Sequence, residues 1–183
     1  MNRYILAALA FAALPATAHA QAYVQVHGGF DSVSVGGESE EGVAYGAAVG
    51  YEFPLSENMF AGLEAGYDDS STKACESDLF VVGDEACLKT GRDLSAVVRL
   101  GTNLGARSQL YVLGGYTNAR IKATYTDGVD SESEGANGDG FRLGAGYKMS
   151  FSDNLYGKIE YRYSNYESDF SRHNALVGLG VSF

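Results

Sequence analysis

The 183-residue chain carries a formal net charge of −10 and only two cysteines, and it has the length of one domain. So acidic a balance argues against nucleic acid as a partner, and no segment after the first twenty residues reaches the roughly 18 to 20 consecutive apolar residues of a membrane helix. A transmembrane helix is thereby excluded; a transmembrane barrel, whose strands need about 9 to 11 residues with one apolar face, is not.

At the start, Arg3 precedes an apolar run from Tyr4 to Leu14, followed by Pro15 and the small-residue site Ala18-His19-Ala20. That pattern predicts a secretory signal peptide over residues 1–20, with the mature domain over residues 21–183 beginning at Gln21. Two cysteines, Cys75 and Cys87, in an exported chain point to one disulfide; zinc is the weaker reading, because no His and no further Cys lies between them.

Period-two alternation then predicts eight strands. The first sets Val24, Val26 and Phe30 against Gln25, His27 and Asp31. The second sets Val43, Tyr45, Ala47, Val49, Tyr51 and Phe53 against small residues and Glu52. Met59, Leu63 and Tyr67 oppose Glu64, and Leu94, Val98 and Leu100 oppose Asp93 and Arg99. Leu110, Val112 and Tyr116 form the least decisive outward set. Phe141, Leu143, Tyr147 and Met149 oppose Arg142 and Lys148, and Leu155, Ile159, Tyr161 and Tyr163 oppose Tyr156, Lys158, Glu160 and Arg162. In the closing HNALVGLGVSF, Ala175, Val177, Leu179, Val181 and Phe183 oppose Asn174, Gly178, Gly180 and Ser182.

The connections alternate in length, with PLSEN, GARSQ and SDN as the short set. A soluble sandwich has no reason to keep every second loop minimal. An outer-membrane barrel has short periplasmic turns and longer extracellular loops, and an even strand number closes the sheet and removes its edges. The charges agree: Glu64, Arg99, Arg142, Lys148, Lys158, Glu160 and Arg162 share a face with glycine and alanine, which suits a narrow lumen better than a solvated surface. Tyrosines near strand ends, Tyr23, Tyr51, Tyr67, Tyr147 and Tyr161, are expected to form the two aromatic girdles. The predicted fold is all-β, an eight-stranded antiparallel up-and-down transmembrane barrel.

Several further pieces, YVQVHGGF, VGYEF, GLEAGY, GAGYKMSF, YGKIEYRYSNY and RHNALVGLGVSF, occur in an order and spacing that resembles the small opacity-type and outer-membrane-protein-A-like barrels of Gram-negative outer membranes. The resemblance covers residues 21–183 and implies integral placement in that membrane, surrounded by lipid and lipopolysaccharide. The chain stops at the barrel, so the peptidoglycan-binding domain carried by some relatives is expected to be missing. The resemblance also gives Phe183 a role: a terminal aromatic on an alternating strand resembles the signal read by the barrel assembly machinery.

Within the lumen, Glu64 and Glu160 are expected to pair with the cations named above, which plugs an eight-stranded barrel; a gate of exchanging pairs is the functional alternative. His173 and Ser171 invite comparison with barrel deacylases, but no acid is fixed by spacing, and the chain reads as no enzyme, with no cofactor and no metal site. His27 is expected to be a lumen hydrogen-bonding residue. The acidic stretches GGESEEG and DGVDSESEGANGDG, the latter with Asp127, Asp130, Glu132, Glu134 and Asp139, lack the ligand spacing of a calcium loop and read as solvated loops open to an extracellular surface partner. Between Cys75 and Cys87 the Leu79 to Val82 run predicts a small extracellular hairpin, too short between Asp78 and Asp84 to add membrane strands. The expected role is structural, in membrane integrity and surface interaction. The alternatives are a narrow porin-like channel and a soluble periplasmic lipocalin-like binder.

Overall fold

The computed structural model describes residues 21–35, 37–77, 84–126, 131–167 and 170–183. The predicted leader, the Leu79 to Val82 run, and Asp127 and Asp130 lie outside the described residues.

The strands are β1 (Gln21–Val35), β2 (Glu38–Pro54), β3 (Met59–Ser70), β4 (Lys73–Ser77), β5 (Glu85–Asn103), β6 (Ser108–Thr126), β7 (Ser131–Ser150), β8 (Leu155–Tyr166) and β9 (Phe170–Ser182). Eight of them run in the order β3-β2-β1-β9-β8-β7-β6-β5, and β3 pairs with β5 to close the ring. Every pairing is antiparallel. Closure gives each wall strand a partner on both sides, which a strand in lipid requires because no water is there to satisfy its backbone. β4 is not a ninth stave. It resumes the line of β3 after residues 71 and 72 and pairs with the outer part of β5, which carries a bulge between Thr90 and Asp93.

Three four-residue turns close one end of the barrel in the same way. Leu55, Leu104 and Phe151 each donate their backbone N–H to the carbonyl four residues on, at Met59, Ser108 and Leu155, in each case at 2.8 Å. Gly105 adopts φ 88° in the second of these turns, a conformation that glycine tolerates without steric cost. Gln21 pairs with Glu52 and Ser182 bonds to Asn154, so both ends of the described chain lie at this turn end.

The faces are inverted relative to a soluble protein. Val26, Val49, Val112, Ile159, Val177 and Leu179 are each more than half exposed on the outside, while Arg99, Asp93 and Arg142 are buried within. Apolar side chains displayed as a continuous band fit a wall bathed in hydrocarbon rather than in water. The outward sets predicted from alternation face outward, including Leu110, Val112 and Tyr116.

Two expectations are revised. Tyr23 is not part of a girdle: it is 2% exposed and points into the lumen, on the same parity as Gln25 and His27. Much of the acidic sequence read as loop continues the ladders, with Val33 opposite Glu40 and Ala123 opposite Glu134. Backbone pairing needs no apolar face once the strands leave the membrane, so polar, glycine-rich strands there escape a reading based on hydrophobic alternation.

Candidate functional site

The lumen is built in tiers, and the tier nearest the turns is aromatic. Tyr23, Phe60, Tyr111 and Tyr156 lie opposite Gly50, Gly101, Gly146 and Gly180 on the neighbouring strands. Each ring covers its glycine, and a Cβ added there would fall 2.2, 2.5, 2.4 and 2.3 Å from the ring respectively. One such pair occurs in each two-strand unit of the ring: β1–β2, β3–β5, β6–β7 and β8–β9. Glycine is needed at these positions for close approach, not for an unusual backbone angle.

Arg99 sits among these rings, its guanidinium carbon 3.8 Å from the Tyr111 centroid, a cation–π distance. From it an alternating line of charge runs up the barrel. Arg99 meets Glu52 at 3.1 Å and Glu64 at 3.4 Å. Glu64 meets Arg162 at 3.7 Å, and Arg162 meets Asp68 at 3.1 Å. Asp68 meets Arg142 at 3.0 Å, Arg142 meets Asp93 at 2.5 Å, and Asp93 meets Arg172 at 3.4 Å. Arg172 ends the line on Asp31 at 2.6 Å. Lys148 branches from Glu52 at 2.7 Å, and Glu160 holds Lys158 at 3.1 Å and Arg162 at 2.5 Å.

Hydroxyl and amide groups use much of the remaining capacity of the carboxylates. Tyr23 donates to Glu64 at 2.7 Å and Tyr111 to Glu160 at 2.5 Å. Tyr166 and Thr117 donate to Asp93, and Ser70, Thr72 and Asn174 donate to Asp31. Above the last ion pair, Val33, Ala119, Tyr166 and Phe170 pack into an apolar cluster that caps the polar column. Beyond it lies a vestibule of about 950 Å³ lined in part by Ile121, Leu88 and Phe170.

Among the described residues this connected column holds six carboxylates, Asp31, Glu52, Glu64, Asp68, Asp93 and Glu160, against the six cations Arg99, Arg142, Lys148, Lys158, Arg162 and Arg172, while the buried Asp84 lies apart from it and accepts from the Tyr125 hydroxyl at 3.0 Å. Balance matters here, because an unpaired charge in a low-dielectric interior is costly and each ion must find both an opposite charge and hydrogen bonds. All seven charged residues singled out from the sequence meet in this column. Sequence reasoning did not include Asp31, Glu52, Asp68, Asp93 and Arg172 in it, although each shares the inward parity of its strand. His27 also joins, its Nε2 being 2.5 Å from Asp68.

Other candidates are placed elsewhere. His173 and Ser171 share the outward face of β9; the imidazole Nδ1 lies 2.6 Å from the Tyr161 hydroxyl and the ring centroid 4.9 Å from that of Tyr163. Among the described residues no carboxylate bonds to His173. Cys75 and Cys87 are direct cross-strand partners on β4 and β5 and form a disulfide, so their sulfurs are not free to bind the metal that Glu85 beside them would otherwise help to hold. Phe183 is 72% exposed at the turn end, its N–H bonded to the carbonyl of Ala22 at 2.9 Å.

The geometry has relatives. Over the described fold the chain resembles Ail, the attachment invasion locus protein of Yersinia pestis, with a TM-score of 0.65, 16% identity, and coverage of 90% of this chain and 99% of that one. Neisserial surface protein A gives a TM-score of 0.60 at 13% identity, covering 88% of this chain and 97% of that one. These likenesses show the fold. In sequence, a 25 kDa outer-membrane immunogenic protein of Brucella ovis is 29% identical over 138 residues, which are 75% of this chain and 62% of that protein. The family model for the outer membrane protein beta-barrel domain matches residues 4–183. This chain therefore belongs to the outer membrane protein beta-barrel domain family.

Proposed function

We propose that the protein is a closed barrel of the Gram-negative outer membrane with a structural and surface-interacting role, rather than a pore or an enzyme. The observation that carries this reading is the unbroken line of ion pairs from Glu52 to Asp31, capped by the Val33 and Phe170 cluster. Eight strands leave an interior only wide enough for side chains, and here large charged side chains fill it. Passage of a solute requires several buried pairs to separate together, each against a cost of several kcal/mol (about 3 to 5) for leaving a charge alone.

On this reading residues 1–20 form the export signal, and Phe183 contributes to recognition by the barrel assembly machinery. The acidic ladders and loops above the membrane present the surface for an extracellular partner. A catalytic role for His173 and Ser171 lacks support, since the imidazole is held by Tyr161 on the lipid-facing wall.

The test pairs two measurements on a deletion strain and on the purified protein. Loss of the gene raises sensitivity to detergent, and liposomes containing the barrel take up small sugars no faster than empty ones. Sugar uptake above that of empty liposomes, with unchanged detergent sensitivity, would overturn the reading in favour of a porin.

A further inference from the structure

Outside the lumen the described chain has six lysines and arginines, and all but Arg107 lie on β4, β5 and β6. Their register is specific. Lys73 is the direct partner of Lys89, and Lys89 is the direct partner of Lys122, so three ammonium groups stand side by side across three adjacent strands. The row extends one strand further. Lys122 faces Gly135 on β7, and the guanidinium of Arg120 lies over that glycine, where a Cβ would be 2.9 Å from Nε and Nη2. Four cationic heads thus span four strands, about 14 Å at the usual spacing between strands. Arg92, in the bulge opposite Arg120, adds a fifth charge and has a buried Nη1 without a partner among the described residues.

The row faces outward. Ala119 is buried and Ile121 packs on the capping cluster, so Lys122 and its partners lie on the parity opposite to the lumen, and all four residues are exposed, with Lys73 and Lys89 also bordering the vestibule. Among the described residues no carboxylate lies within ion-pair distance of Lys73, Lys89, Arg120 or Lys122. Like charges placed directly opposite each other in a ladder are destabilising. In a chain of net charge −10 with acids to spare, two successive like pairings without a counter-ion point to an external anion.

The height of the row selects the anion. Lys122 lies six residues beyond the exposed Tyr116, about 15 Å along the membrane normal for a strand tilted by about 40°. A phospholipid headgroup layer is only about 5 to 8 Å deep. We propose that the Lys73, Lys89, Lys122 and Arg120 row is a docking surface for the anionic core sugars, phosphorylated or carboxylated, of lipopolysaccharide in the outer leaflet around the barrel. The site rests on the outer-membrane placement argued above. It fixes the barrel laterally to its own leaflet and neutralises the repulsion within the row.

The experiment uses the full mature barrel in detergent and measures lipopolysaccharide binding by titration, with core-complete and core-truncated preparations as probes. Heat-modifiable gel migration of every variant reports whether the barrel is folded; a wild-type protein without that shift would contradict the barrel reading itself, separately from the site. Wild type is expected to prefer the core-complete form, and binding should weaken steeply with salt. Combined Lys73→Ala, Lys89→Ala and Lys122→Ala should lose binding by about tenfold or more, whereas the three Lys→Arg changes and Arg107→Ala should leave it intact. Equal affinity of the alanine variant and wild type, or equal affinity of wild type for core-truncated lipopolysaccharide, would overturn the proposal. So would lysine-dependent binding of a soluble sulfated polysaccharide with no binding of lipopolysaccharide.

Discussion

Tyr23 and Gly50 stand opposite each other on β1 and β2, and the phenol ring occupies the space where a side chain at residue 50 would begin, 2.2 Å from where a Cβ would stand. The same relation recurs around the base of the lumen, and the rings it seats carry the hydroxyls that hold Glu64 and Glu160. Gly50→Ala should therefore displace Tyr23 and disturb the Glu64 pairing. The expected loss is about 1 to 3 kcal/mol, the usual effect of overpacking, measured by urea unfolding in detergent micelles. Gly114→Ala, where the nearest atom to an added Cβ is the flexible Leu143 Cδ2 at 3.2 Å, should cost much less. Equal losses at the two positions would show that the aromatic tier is not tightly seated.

Arg172 and Asp31 are bonded twice, Nε to Oδ1 at 2.6 Å and Nη2 to Oδ2 at 2.9 Å. Arg172→Met leaves Asp31 with neutral donors only, and Asp31→Leu leaves Arg172 with the distant Asp93. Each single change should destabilise the barrel by about 3 to 5 kcal/mol, while the double change should cost clearly less than their sum. A double-mutant cycle with no coupling would mean that the pair is not a unit.

The disulfide joins residues 12 apart in sequence, on the ladder above the bulge. Its loss should act on that extension rather than on the ring. Cys75→Ser with Cys87→Ser is expected to leave the heat-modifiable transition of the barrel nearly unchanged while proteolysis between positions 75 and 87 accelerates; a lowered transition with no new cleavage would contradict this.

His173 tests the lipid-facing wall. Because its imidazole is tied to Tyr161 and stacked near Tyr163, His173→Ala and Ser171→Ala should change no acyl release from lipid A or phospholipid. Hydrolysis by the wild-type protein that disappears in His173→Ala would restore the catalytic reading.

Alternation alone made the wall legible, since each outward set is apolar enough to show its period. It also placed Glu64, Arg99, Arg142, Lys148, Lys158, Glu160 and Arg162 inside. That set of two acids and five bases is itself unbalanced, and a closed lumen cannot hold such an excess. The missing carboxylates were within reach on the same parity: Asp31, Glu52, Asp68 and Asp93. Tyr23 was misplaced because its position near a strand end suggested a girdle, while its parity with Gln25 pointed inward. The glycine and aromatic pairs were visible only as composition, because which glycine faces which ring depends on the register between strands. The lysine row stayed hidden for the same reason: Lys73, Lys89 and Lys122 are far apart in sequence and become neighbours only through the bulge between Thr90 and Asp93.

The closed lumen is the central claim, and ion conductance tests it most directly. Purified wild-type barrel in planar bilayers should give no discrete channel openings, because the line of ion pairs from Glu52 to Asp31 fills the passage. Discrete openings whose size changes in Arg142→Ala or Glu64→Ala would contradict the account and make the same residues the gate of a pore.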